Sequence, residues 1–153
     1  MDDHRFNEII DFAVAREQEA VAFYRDLQRM SRFDAVKELL EEFEAMEWHH
    51  IEILENLRHV NPNHISVPRI EDLMVGDHIE DSRPDPEMRY QDILLIAMKR
   101  EQAAYNLYRE LAAASTDEDT QRLLLKLASE EAKHRLMFER IYDQEITEEN
   151  QGR

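Results

Sequence analysis

A chain of 153 residues is long enough to bury one core. Its formal charge of −16 at pH 7 argues against a nucleic-acid partner, whose phosphates it would repel. It has no Cys, which excludes disulfides, iron–sulfur clusters and thiolate-held zinc in this chain.

With two Gly and four Pro among many Glu, Leu, Ala, Lys and Arg, the composition is that of long helices. The start, Met1-Asp2-Asp3-His4, is acidic and no apolar stretch follows it, so no secretory signal is visible. The longest apolar run, Ile93 to Met98, is far too short to span a bilayer. A soluble cytoplasmic protein is expected, with no membrane partner.

In chain order, the pattern predicts helix A over about 3–31 and helix B over about 34–59. A turn at Ser31-Arg32-Phe33-Asp34 separates them. Pro62, Pro68, Gly76, Pro84 and Pro86 then mark a crossover over about 60–86, in which Ile70 to Ile79 is read as a short helix. Helix C follows over about 87–115 and helix D over about 118–145. Ser115-Thr116-Asp117-Glu118 lies between them, and a tail fills 146–153. The expected fold is all-α, a four-helix bundle in a single domain.

The two halves repeat. Advanced by 84 positions, Arg16-Glu17-Gln18 falls on Arg100-Glu101-Gln102 and Ala20 on Ala104. Tyr24-Arg25 falls on Tyr108-Arg109, Leu39-Leu40 on Leu123-Leu124, and Glu47 and His50 on Glu131 and His134. This reads as a duplicated αα-hairpin.

Core helices of a bundle place apolar residues alternately three and four apart. Helix B gives Val36, Leu40, Phe43, Glu47, His50, Leu54, Leu57, and helix D gives Leu124, Leu127, Glu131, His134, Phe138, Ile141. Each seam is apolar except for one Glu and one His. Helix A gives Ile10, Ala13, Glu17, Ala20, Tyr24, Leu27, and helix C gives Leu94, Ala97, Glu101, Ala104, Tyr108, Leu111. Each of these carries one Glu and one Tyr. No Lys or Arg sits on the seams to pair with the four carboxylates. Unpaired, they would repel one another and be costly to desolvate. Two divalent cations would neutralise them, and oxygen with imidazole nitrogen suits Fe, Mn or Zn.

Glu17 and Glu47 are equidistant from the A–B turn, and Glu101 and Glu131 from the C–D turn. Each pair therefore meets at one height, about 22 Å from its turn. If the two turns lie at opposite ends of the bundle, a two-fold axis carries A onto C and B onto D, and all six residues converge. The candidate metal ligands are Glu17, Glu47, His50, Glu101, Glu131 and His134. Off-seam carboxylates such as Glu44 and Glu130 are expected to be dispensable for metal. His49 is expected to face solvent, and Met46 to be a packing residue.

Glu17-x6-Tyr24 with Glu47-x-x-His50, then Glu101-x6-Tyr108 with Glu131-x-x-His134, resembles the rubrerythrin branch of the ferritin-like superfamily. The resemblance implies a four-helix bundle with a long connection between its second and third helices. It also implies a non-haem di-iron site that reduces peroxide or oxidises Fe²⁺ with O₂ or peroxide. It makes Glu47 and Glu131 the bridging pair, Glu17 and Glu101 terminal or bridging, and His50 and His134 ligands of one iron each. Tyr24 and Tyr108 become donors to the ligands, each bonding a carboxylate from another helix. Manganese or a mixed Fe/Mn pair would use the same residues.

The sequence also departs from that family. Rubrerythrins usually carry a further Glu where Ala104 stands, and a Cys-rich electron-donating domain that is absent here. Trp48 stands where related bacterioferritins have their haem-binding Met, so no haem is expected.

The leading functional expectation is a di-iron oxidoreductase that uses O₂ or H₂O₂ with an external electron donor. A ferroxidase in a mineral-storing shell or as a compartment cargo is the second. A helical interaction module with a structural polar seam is the third. A homodimer or larger assembly is expected, with Trp48 and Phe33 as contact groups.

Overall fold

The computed structural model describes the backbone of residues 3–59 and 89–151 and the side chains of 7–59 and 89–147. Four helices account for nearly all of it: α1 (Asp3–Met30), α2 (Asp34–Leu57), α3 (Tyr90–Ala114) and α4 (Glu118–Gln151). The expected bounds are met within about three residues, except that α4 runs on to Gln151 where an end near 145 was expected. No Pro or Gly interrupts that stretch, so nothing stops it. The crossover over 60–86 and the short helix read at 70–79 lie outside the described residues. Among the described residues, no helix is long and apolar enough to cross a membrane.

Short turns force each helix pair antiparallel, and α1 packs mainly on α2 and α3 mainly on α4. The Ser31 hydroxyl stabilises the first turn by accepting from the Phe33 backbone N–H at 3.4 Å. Asp117 caps α4, its carboxylate accepting from the Thr120 N–H at 3.0 Å and the Thr120 hydroxyl at 2.6 Å. This satisfies an end donor that the helix itself leaves open.

The hairpins dock with their turns at opposite ends. Arg32, in the first turn, donates to both Glu145 oxygens at 3.0 and 3.2 Å, near the far end of α4. The apolar core is correspondingly split in two. One cluster joins Ile9, Ile10, Ala13, Leu54 and Leu57 to Leu107, Leu111, Leu124 and Leu127. The other joins Phe23, Tyr24, Leu27, Leu40 and Phe43 to Ile93, Leu94, Phe138 and Ile141. Between the clusters lies a layer of buried charge.

The clusters are related by the repeat but differ in chemistry. Phe23, Phe43 and Phe138 stand in one cluster where Leu107, Leu127 and Leu54 stand in the other. The three Phe and Tyr24 pack edge to face or tilted, at centroid distances of 5.4 to 6.3 Å. One end of the bundle is therefore rich in Phe, and the other is mainly aliphatic with Tyr108 buried in it.

Phe138 and Leu54 are both fully buried, whereas Leu125 and Leu136 are 44% and 47% exposed. Truncating Phe138 to Ala should destabilise the fold by about 3–5 kcal/mol and Leu54→Ala by about 2–5 kcal/mol. Leu125→Ala and Leu136→Ala should each stay within about 0.5 kcal/mol of the parent. Urea unfolding of the metal-free variants measures all four.

Candidate metal centre

The seam residues meet as their spacing requires. Glu17 (α1), Glu47 and His50 (α2), Glu101 (α3), and Glu131 and His134 (α4) are all at most 2% exposed. They form two overlapping groups: Glu17, Glu47, His50 and Glu131, and Glu47, Glu101, Glu131 and His134. Within each group one donor atom per residue lies within 4.8 Å of all the others. Glu47 and Glu131 belong to both groups, which is the placement a bridging pair needs. Glu17 and Glu101 each belong to one.

The histidines point the same nitrogen inward. His50 Nδ1 lies 3.0 Å from Glu131, 3.6 Å from Glu17 and 3.7 Å from Glu47. His134 Nδ1 lies 3.2 Å from Glu47 and 3.6 Å from Glu101. These contacts are close enough for ion pairing but lack hydrogen-bond geometry. Both Nδ1 atoms and at least one oxygen of each of the four glutamates are buried without a hydrogen-bond partner. Orphaned buried polar atoms are rare and costly. Seven gathered at one point, all of types that bind divalent cations, fit a pair of metal ions.

Tyr108 reaches across to donate its hydroxyl hydrogen bond to Glu17, on another helix as expected. Burial, with the Glu17 charge beside it, keeps its phenol protonated by raising its pKa well above the ordinary range. Its counterpart Tyr24 is 1% exposed, and its hydroxyl has no hydrogen-bond partner among the described residues. The two tyrosines are therefore not alike, although the repeat predicts that they should be.

Two off-seam residues do more than expected. Glu130, read as dispensable, pairs with His50 through Nε2, the ring nitrogen that faces away from the cluster. Met46, read as packing, places its sulfur 3.4 Å from His134 Nε2. Both precede a cluster glutamate by one position, which turns their side chains toward the neighbouring helix. Periodicity looks only at the inward stripe and so missed them. Glu44 keeps the bland role, held by Arg25 and Gln28 at 3.0 Å each. His49 faces solvent beside Glu52.

A cavity of about 30 Å³ opens onto the cluster between α1 and α3. Glu17, Glu47, Glu101 and Glu131 form its floor, and Ala20 and Ala104 lie along it. Arg16 and Arg100 also line it, at repeat-equivalent positions. Each guanidinium lies over a ring, Phe12 at 5.1 Å and Phe23 at 5.0 Å respectively. Both reach toward Glu19, at 3.9 and 3.4 Å.

Residues 87–153, which include α3 and α4, match the family described as Rubrerythrin. No curated protein and no solved structure matches the chain. The all-α bundle and its carboxylate–histidine cluster are similar to those of the ferritin-like superfamily, and the cluster's residue types can hold a metal ion. The match falls on the half that holds Glu101, Tyr108, Glu131 and His134.

Without metal, protons must do the neutralising. Burial raises the Glu47 and Glu101 pKa values well above the carboxylate range, and the neighbouring carboxylates push them the same way. Burial opposes charge on His50, but contacts with Glu131 and Glu17 outweigh it and raise its pKa to about 11. Burial likewise opposes the Glu131 anion, but His50 and Glu101 hold its pKa below the usual range. Burial lowers His134 to about 4, so it is neutral.

The signs decide how the metal-free protein responds to pH. Raised values at Glu47, Glu101 and His50 stabilise in acid, and that stability is lost as pH climbs through the folded pKa values. The lowered His134 acts oppositely, but only between its ordinary 6.5 and about 4. Lowered Glu131 acts below its ordinary 4.5. Above pH 6.5 only the first group remains, so the metal-free melting temperature should fall from pH 6.5 to 9. Bound metal requires deprotonated ligands, so its stabilising effect should grow with pH and vanish toward pH 4. Paired thermal melts of metal-free and iron-loaded protein test this. A difference constant with pH would place the metal away from these residues.

Proposed function

We propose that this chain is a non-haem di-iron oxidoreductase that reduces peroxide or O₂. The observation that supports this best is the set of inward atoms of Glu17, Glu47, His50, Glu101, Glu131 and His134, buried and unpartnered around one point. These residues would hold a pair of Fe²⁺ ions, which would supply two electrons to the oxidant. Four carboxylates balance the four positive charges of that pair. Glu47 and Glu131, shared by both groups, hold the two positions together. Tyr108 fixes one Glu17 oxygen by its hydrogen bond and leaves the other facing the cluster.

The size of the cavity suits a small oxidant. About 30 Å³ is room for roughly two water-sized bodies, enough for O₂ or H₂O₂ but not for an organic substrate. Two guanidiniums reach one Glu19 carboxylate along this route. These 153 residues hold no Cys-ligated centre, so the reading takes an external electron donor.

Iron-reconstituted protein should hold about two metal ions per chain, by elemental analysis after gel filtration. Glu47→Ala and Glu131→Ala should lose metal to similar extents, because they share one role. Glu44→Ala should retain it. Equal loss from Glu44→Ala and Glu47→Ala would overturn the assignment. For the reaction itself, anaerobic Fe²⁺-loaded protein is mixed with H₂O₂ and separately with O₂. Stoichiometric oxidation of the bound iron, with no growing ferric mineral when excess Fe²⁺ is added, supports the oxidoreductase. Mineral growth into a scattering shell would favour storage instead.

A further inference from the structure

The six cluster residues obey the repeat, but what stands behind them does not. Glu130 and Met46 occupy equivalent positions 84 residues apart, each immediately before a shared glutamate. They face the outer nitrogens of the two histidines. Behind His50 Nε2 is the Glu130 carboxylate, and behind His134 Nε2 is the Met46 thioether at 3.4 Å. A carboxylate is a strong, charged acceptor for an imidazole N–H, whereas a thioether is a weak one.

Two further differences point the same way. His134 is stacked on the Phe43 ring at 4.1 Å and 26°, whereas the repeat-equivalent residue of Phe43 is Leu127. Glu17 receives a hydrogen bond from Tyr108, whereas the equivalent Tyr24 hydroxyl makes none among the described residues. Among the described residues, both of these polar contacts fall on the group of Glu17, Glu47, His50 and Glu131. The group that contains His134 is backed by sulfur and aromatic carbon.

We propose that the two metal positions are unequal: the position served by His50 is the tighter and fills first, and Glu130 is the positioning residue that makes it so. A carboxylate that accepts the outer N–H fixes the ring's orientation and tautomer and makes the inner nitrogen a better donor. Glu130 acts only through His50, since its contact is with the nitrogen turned away from the cluster. The position served by His134 lacks that help and is the one that exchanges metal. The inference rests on the two-metal reading above.

The test is anaerobic titration of the metal-free protein with Co²⁺, followed by calorimetry and by the visible absorption of bound Co²⁺. The parent should show two steps separated by about 10–100-fold in affinity, the usual effect of such an outer partner. His134→Ala should remove the weak step and keep the tight one. Glu130→Met, which copies the other half, should weaken the first step by about 10–100-fold and leave the second nearly unchanged. Glu130→Gln keeps an acceptor without the charge and should recover part of that loss. Met46→Glu should tighten the second step, and the absorption of the second Co²⁺ should come to resemble that of the first. Two equal steps in the parent, or an equal shift of both steps by Glu130→Met, would overturn the inequality and leave the two-metal reading standing. Fewer than two Co²⁺ in the parent would overturn both.

Discussion

Four carboxylates buried at mid-bundle must be neutralised, and the rest of the structure is arranged around that requirement. An isolated ionised carboxylate is among the most expensive groups to bury, and four together add mutual repulsion. No Lys or Arg stands on the inward seams that carry them. Without metal, protons on Glu47, Glu101 and His50 neutralise the layer, and bound cations would do the same work. The described clusters above and below it are largely apolar, one mainly aliphatic and the other rich in aromatic rings. Those clusters supply the burial that makes a charged centre tolerable, and they keep bulk water from it.

The hairpin repeat makes this economical. One αα-hairpin brings a Glu from each helix to a common height, with a His one turn further along the second. Two hairpins docked with turns at opposite ends bring both sets to one point. Arg32 bound to Glu145 helps to hold that docking, since it ties the first turn to the last helix. The opening past Ala20 and Ala104 then follows from small side chains at equivalent positions, because larger ones would fill it.

Most of this was legible in the sequence, for a definite physical reason. A charged residue on an apolar stripe violates the pattern around it, so Glu17, Glu47, Glu101, Glu131, His50 and His134 announce themselves. Helix ends were legible where side chains cap, as Asp117 does for α4. The end of α4 was not, because no breaker marks it. The contacts of Glu130 and Met46 with the histidines were not legible, for a different reason. Both residues lie off the stripe, where a Glu is most often solvated and a Met most often packs, and only the docking of the hairpins turns them onto the histidines. Repeat symmetry even hides them, since it leads one to expect that equivalent residues do equivalent work. Tyr24 and Tyr108 show the same limit: identical in sequence context, they differ in their hydrogen bonding.

The central claim is that metal sits among these six side chains. Crystals of iron-loaded protein, measured on both sides of the iron absorption edge, test it directly. Two anomalous peaks should appear, one within reach of His50 Nδ1 and Glu17, the other within reach of His134 Nδ1 and Glu101, with Glu47 and Glu131 between them. An anomalous map with no peak inside the bundle, or with peaks only at surface carboxylates, would contradict it.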